Sequence, residues 1–147
     1  MVYEWDLLQD IRDELADKVP EFHGRVYVLS SERLMPESVK LPACGIVRGP
    51  TGTFDFIKGA FRETYDVDIW IYDRDFSGRT RAQESVSTLT SKVISALRDY
   101  APVGSLFHVT TNPINLDAIR PGLNTETGEF VVLRRVRMQF TAIYQEA

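Results

Sequence analysis

The segment Thr64–Asp73 (TYDVDIWIYD) constrains the fold more than any other part of the sequence. Its side chains alternate between two faces, with Tyr65, Val67, Ile69 and Ile71 on one and Asp66, Asp68, Trp70 and Tyr72 on the other. Alternation of this kind is typical of an antiparallel β-strand with one buried face. Because the second face carries two acids, the first is predicted to be the core face. Trp70 and Tyr72 then lie on the outer face, where their apolar area needs cover, so both are candidate subunit-interface residues.

Two amphipathic helices are predicted, one before this strand and one after it. The apolar stripe of the first comprises Trp5, Leu8, Ile11, Leu15 and Val19, and Pro20 and Gly24 end the helix. The stripe of the second comprises Ala82, Val86, Leu89, Val93 and Leu97. The outer face of the second helix carries small hydroxyl residues in place of the long charged residues that favour helix and solubility. That composition indicates a face that another chain covers.

The remaining sequence predicts further strands and completes the fold class. These strands are expected over Arg25–Leu29, Ala43–Arg48, Leu106–Thr111 and Glu129–Tyr144, the last long enough to require a bend or bulge. The predicted breaks are a loop over Ser30–Pro42, a stop at Gly49, Pro50 and Gly52, a connection through Asn112, Pro113 and Pro121, and a turn at Thr125–Gly128. This order predicts a single α+β domain over residues 1–147. Its architecture is a two-layer sandwich, with a mostly antiparallel sheet and two helices packed on one face.

The charge and hydropathy of the chain argue against a nucleic acid or a membrane as its main partner. The 147 residues have a formal net charge of −4, whereas dedicated nucleic-acid-binding domains are usually basic. Cys44 is the only cysteine, so no disulfide forms within the chain. The first ten residues contain no apolar run, and no segment approaches the roughly 20 apolar residues of a membrane span, so neither a signal peptide nor a membrane partner is expected.

The sequence offers little material for catalysis. His23 and His108 lack metal-ligand partners at the usual spacings, and Cys44 lies in an apolar strand where burial is the expected state. Asp66 and Asp68 share one strand face, and a small metal-dependent enzyme using them with His108 is the alternative in this class. A solvated strand face explains the two acids more simply. No catalytic residue, cofactor site or metal site is therefore predicted.

The segment Gly49–Phe61 (GPTGTFDFIKGAF) is the strongest candidate for an interaction surface. It places Phe54, Phe56, Ile57 and Phe61 among glycines and a proline, which predicts a flexible hairpin arm near residues 49–61. Exposed aromatic side chains are costly for a monomer to keep in water. We expect the arm to order against a neighbouring subunit, and the alternative is a flap folded onto its own core.

A basic cluster, Arg134, Arg135 and Arg137, lies in the last predicted strand. These side chains are candidates for a charged interface or for the lining of a channel, where they would meet phosphates or acids. The alternative is a solvated outer face on which positive charge prevents the sheet from associating with another sheet. Arg134 falls on the apolar face of its strand, which fits either a bulge or a buried ion pair.

In the order of its elements the chain resembles the small tail terminator, or tail completion, proteins of tailed bacteriophages and prophages. The segments that carry the resemblance are LLQDIRDELADKV, RVYVLSSERLMPESVKLPACGIV, ETYDVDIWIYD, AQESVSTLTSKVISAL and RRVRMQFTAIY, with the glycine-rich hairpin between the second and third. They span nearly the whole chain. They are patterns of order and periodicity, without a catalytic motif.

The resemblance implies a structural role. Proteins of this family form hexameric rings that end the tail tube and join it to the neck below the head. For this chain it implies a homohexamer that binds the tail-tube protein and neck or connector proteins, with passive contact to DNA passing through the bore. It also implies a place in the tail or neck of a virion, after synthesis in the bacterial cytoplasm. A head-side connector of the neck is the alternative within the same class.

Overall fold

The computed structural model describes residues 4–29, 40–74, 79–98, 100, 107–124 and 129–145. Its helices are α1 (Glu4–Lys18) and α2 (Arg79–Arg98), with a 3-10 turn at Pro20–Phe22. Its strands are β1 (Val26–Leu29), β2 (Ala43–Ile57), β3 (Ala60–Arg74), β4 (Phe107–Leu116), β5 (Arg120–Asn124) and β6 (Glu129–Gln145). The predicted turn at Thr125–Gly128 and most of the predicted loop at Ser30–Pro42 lie outside the described residues.

The described strands form one sheet in the order β1-β2-β3-β6-β4, and β5 pairs with β6 beyond the end of β4. β1 runs parallel to β2, and every other pair is antiparallel. Both helices pack on the face that carries Tyr65 and Ile71. The predicted α+β class and the mostly antiparallel sheet are confirmed.

The predicted stop at Gly49 is wrong, because β2 continues to Ile57 as one long strand. An irregularity in its pairing with β3 between Arg48 and Gly52 absorbs the glycines and the proline. The strand turns back through Lys58 and Gly59, and Gly59 has φ of 75°, a value that favours glycine in a two-residue hairpin. The segment Gly49–Phe61 is therefore the distal end of the β2–β3 hairpin, with regular pairing from Gly52 to Ile57.

The expected bend in the last strand is also absent from its pairing with β3. The register of β3 with β6 runs without a shift from Ala60↔Gln145 to Arg74↔Val131. The irregularity lies in β4, between Pro113 and Asn115. The predicted connection through Asn112, Pro113 and Pro121 is wrong as well, since these residues belong to β4 and β5. Proline is tolerated there because these strands lie along the outer edge of β6, where a missing N–H breaks no ladder.

Helix α1 is buried through Leu7, Leu8, Ile11 and Leu15. The prediction that Trp5 belongs to this stripe is wrong, because its side chain is 63% exposed and Leu7 takes the place in the core. The α2 stripe is confirmed for Val86, Leu89, Val93 and Leu97, while the side chain of Ala82 is outside the description. The predicted core face of β3 is confirmed, since Tyr65, Val67, Ile69 and Ile71 all pack in the main core.

Gly49 allows the irregular part of β2 to approach β3. A Cβ added there would lie 2.7 Å from the Cβ of Asp66 and 2.9 Å from its carbonyl oxygen. We expect Gly49→Ala to lower the free energy of unfolding by about 1–3 kcal/mol, because backbone has to shift to admit a methyl group. Urea unfolding against the exposed control Thr53→Ser tests this. A Gly49→Ala protein as stable as the control would contradict the close approach.

Candidate interaction surfaces

Three aromatic side chains form a cluster at the distal end of the β2–β3 hairpin. The ring centroid of Phe54 lies 5.3 Å from that of Phe56 and 5.6 Å from that of Phe61. The Phe56 and Phe61 centroids are 5.2 Å apart. The register pairs Phe56 with Phe61 directly across the hairpin, on the same side of the sheet as the helices. We call Phe54, Phe56 and Phe61 the tip cluster.

The tip cluster is exposed despite these mutual contacts. Phe54 is 41% exposed and Phe56 is 76% exposed. On β3 the main core includes Tyr65 to Ile71, so the cluster lies past its end. An aromatic surface of this kind costs free energy in water and is typical of an interaction site.

Ile57 does not join the tip cluster. It follows Phe56 directly and therefore points to the opposite side of the sheet, where it is half-buried. Asp55 and Arg62 lie on that same side and form an exposed ion pair, Arg62 Nη2 to Asp55 Oδ2 at 2.9 Å. The hairpin thus has one aromatic side and one charged side.

Trp70 and Tyr72 lie on the outer face of the sheet, as the alternation predicts, but their own chain covers them. They stack with centroids 6.3 Å apart and pack with Val47, and they are only 4% and 9% exposed. The guanidinium groups of Arg120 and Arg135 lie over the Trp70 ring at 5.4 and 5.9 Å from its centroid. As placed, these rings offer another subunit little apolar surface.

The three arginines of β6 do not form one charged surface. Arg134 lies on the helix side of the sheet, where its Nε donates to the Asp117 carbonyl oxygen at 3.0 Å and its Nη1 lies 3.4 Å from Thr90 Oγ1. The bulge and the buried ion pair that the sequence suggested for Arg134 are both replaced by these hydrogen bonds. Arg134 therefore ties α2 to the break between β4 and β5, and it takes no part in the outer face.

Arg135 and Arg137 lie on the outer face, each beside an acid of its own chain. Arg135 Nε is 3.0 Å from Asp117 Oδ2. Arg137 donates two hydrogen bonds to Asp68, Nε to Oδ1 at 2.7 Å and Nη2 to Oδ2 at 3.0 Å. The hydrogen bond to Asp68 raises the pKa of Arg137 above its ordinary value, so the guanidinium stays charged. The sequence pattern predicts that these arginines are functional candidates, but it does not predict their partners Asp117 and Asp68, because neither is a local neighbour in the chain.

A cleft between α1 and β1 is a surface that sequence reasoning missed. It is lined by Glu4, Trp5, Leu8, Val28, Leu29 and Arg48 and has a volume of about 380 Å³. Arg48 forms an ion pair with Glu4 at its rim and lies over the Tyr65 ring, 5.5 Å from the centroid. The pattern placed Trp5 in the core because it is apolar and falls at helical spacing, which does not distinguish a core position from the rim of a cleft.

The candidate catalytic residues named from the sequence do not form a metal site in the described part of the chain. Among them, no group of three or more His, Cys, Asp and Glu residues is placed to hold a metal ion. Asp68 is bound to Arg137, and His23 lies in an exposed turn with φ of 51°. The side chain of His108 is outside the description. Within the described ranges, neither helix is long and apolar enough to cross a membrane.

The largely buried Arg137–Asp68 ion pair should contribute more to the free energy of unfolding than the exposed Arg62–Asp55 pair. The side chains of Arg137 and Asp68 are 23% and 10% exposed, whereas those of Arg62 and Asp55 are both 44% exposed. We expect Asp68→Asn to cost about 1–3 kcal/mol, because it leaves a largely buried guanidinium without its carboxylate. The same change at Asp55 should cost less than about 1 kcal/mol. Equal losses in chemical denaturation would contradict this ranking.

Cys44 is buried in β2, and burial raises the pKa of its thiol well above the ordinary value. The thiolate is the reactive form, and a raised pKa leaves almost none of it at neutral pH. We therefore expect no reaction of the native protein with a thiol-specific disulfide reagent at pH 7 or 8, and one equivalent after denaturation. Rapid native labelling would show that β1 and β2 open readily.

The chain matches no protein family in a comparison with known families, and it matches no curated protein in sequence. In fold it is similar to a chain in the solved structure of the virion of a native gene transfer agent particle, with a TM-score of 0.54. The match covers 95% of this chain and 95% of that chain at 16% sequence identity. At this identity the likeness shows that the two chains share a fold.

Proposed function

We propose that this chain is a structural protein of a phage-type virion, forming a closed ring that ends the tail tube and joins it to the neck. The observation that carries the proposal is the shared fold with a chain of a gene transfer agent virion over 95% of both chains. The resemblance in element order to tail terminators supports the more specific role. The chain acts by binding other chains, without catalysis and without a cofactor.

The tip cluster is the surface that this role uses first. A hairpin end with Phe54 and Phe56 in water is stabilised when another protein covers it. Aromatic side chains dominate the binding energy of many interfaces. In the assembled ring the tip reaches past its own core to a neighbouring chain, either the next copy or the tube below.

The paired charges of the outer face suit a surface past which DNA moves. Arg135 and Arg137 are beside Asp117 and Asp68, so neither presents an uncompensated positive charge to phosphate. Arginines without acidic partners would bind the DNA phosphates, more strongly the more of them there are, and would slow the movement of the DNA. Where this face lines the bore, contact with DNA is passive.

The tip cluster gives a direct test. We expect the purified protein to form a closed hexamer in native mass spectrometry, alone or when its cognate tail-tube protein is added. Phe56→Ser should raise the concentration for half-assembly at least about tenfold, because an exposed aromatic anchor is lost from the interface. The matched control is Lys58→Ser, which changes an exposed polar residue in the same hairpin.

The outcomes separate the alternatives. Below the concentration at which the unmodified protein assembles, Phe56→Ser should unfold at only a slightly lower temperature than that protein, since Phe56 is 76% exposed and lies outside the main core. A chain that stays monomeric and binds neither the tail-tube protein nor the portal would overturn the proposal. Binding to portal or adaptor proteins, with none to the tube, would assign it to the head side of the neck.

A further inference from the structure

At both lateral edges of the sheet, the described residues include an exposed apolar side chain that lies outside the tip cluster. At the β1 edge, Trp5 of α1 is 63% exposed. At the β4 edge, Leu116 is 51% exposed. Among the described residues, four large apolar side chains are exposed: Trp5, Leu116, and Phe54 and Phe56 of the tip cluster. Single exposed apolar side chains are common on protein surfaces, so these two edges indicate an interface only where they also match each other in shape and charge.

The two exposed side chains lie at the same level of the sheet. The register connects the edges through one row across the strands: Val28, Ile46, Ile69, Val136 and Leu116. Val28 begins this row and lines the cleft beside Trp5. Leu116 ends the row at the opposite edge. Two copies placed side by side with their sheets level would therefore bring Leu116 of one opposite the Trp5 cleft of the other.

The shapes of the two edges differ in the way that a head-to-tail contact needs. The β1 edge is concave, with Leu8 and Val28 in a cleft of about 380 Å³ beside the Trp5 ring. The β4 edge presents Leu116, which is 51% exposed, just before the break at residues 117–119. A branched aliphatic side chain that enters an apolar cleft removes both surfaces from water.

The helices above these edges are opposite in charge. α1, which packs over β1 and β2, contains six acids and two basic residues. α2, which packs over β3, β6 and β4, contains four basic residues and one acid. When copies stand side by side, the acidic helix of one lies next to the basic helix of the other. Charge complementarity of this kind favours the head-to-tail order and disfavours contact between like edges.

We infer that the β4 edge of one copy docks on the β1 edge of the next, with Leu116 seated in the cleft beside Trp5. The contact is heterologous, because the two patches differ, and repeated heterologous contacts form a ring when the rotation between neighbours closes. The inference rests on the proposed function, which supplies the ring, and it names the lateral contact within it. It is independent of the tip cluster, which lies at the end of the strands.

Complementation between two variants tests the inference. Trp5→Asp removes the cleft wall and leaves the Leu116 edge intact, whereas Leu116→Asp does the reverse. Each variant alone should need at least about a tenfold higher concentration for half-assembly. Mixed in equal amounts, the two should form a 1:1 heterodimer that grows no further, because one good contact forms between the intact edges. His23→Asp, an equal charge change at an exposed turn, should assemble like the unmodified protein.

Native mass spectrometry with an isotope-labelled partner reads out every outcome. A heterodimer in the mixture, without homodimers of either variant, supports the inference. Rings formed by both variants as readily as by the unmodified protein would overturn this lateral contact and leave the proposed function standing. Homodimers of Leu116→Asp would overturn it in favour of a like-edge contact through Trp5. An unmodified chain that forms no ring with or without the tail-tube protein would overturn both proposals.

Discussion

The unbroken antiparallel pairing of β3 with β6 is the interaction on which the rest of the structure depends. It runs over fifteen residue pairs without a shift in register. Because side chains alternate strictly along both strands, this register fixes which residues meet on each face. It places Val136 and Met138 beside Ile69 and Val67 under the helices, and Arg137 beside Asp68 on the other side. A slip by one residue would exchange the core with the charged face.

The two faces use different means to satisfy their side chains. The helix face is buried by α1 and α2 and holds the main apolar core. On the outer face, by contrast, Trp70 is covered by arginine side chains, and Arg137 is held by a carboxylate. Both faces are thus largely satisfied within one chain. Among the described residues, the large apolar side chains left exposed lie at the ends and edges of the sheet.

Sequence periodicity was sufficient to predict features that depend on one strong local pattern. The core face of β3 and the α2 stripe follow from alternation and from helical spacing, because burial of one face is what such patterns encode. Glycine and proline were misleading in β2 and β4. Both residue types predict breaks in a strand, yet an irregular register at Gly49 and an edge position for Pro113 accommodate them. Long-range partners such as Asp117 for Arg135 have no local signal at all.

Trp5 shows most clearly why the interaction surfaces were harder to predict than the fold. Its spacing fits the buried stripe of α1, but Leu7 fills the core, and Trp5 is left at the rim of a cleft. In a monomer this position leaves most of the Trp5 surface in water, as is common for an isolated apolar side chain. The same side chain contributes binding energy when a second chain covers it. In the proposed ring, the exposed position of Trp5 is explained by the neighbouring subunit that would cover it.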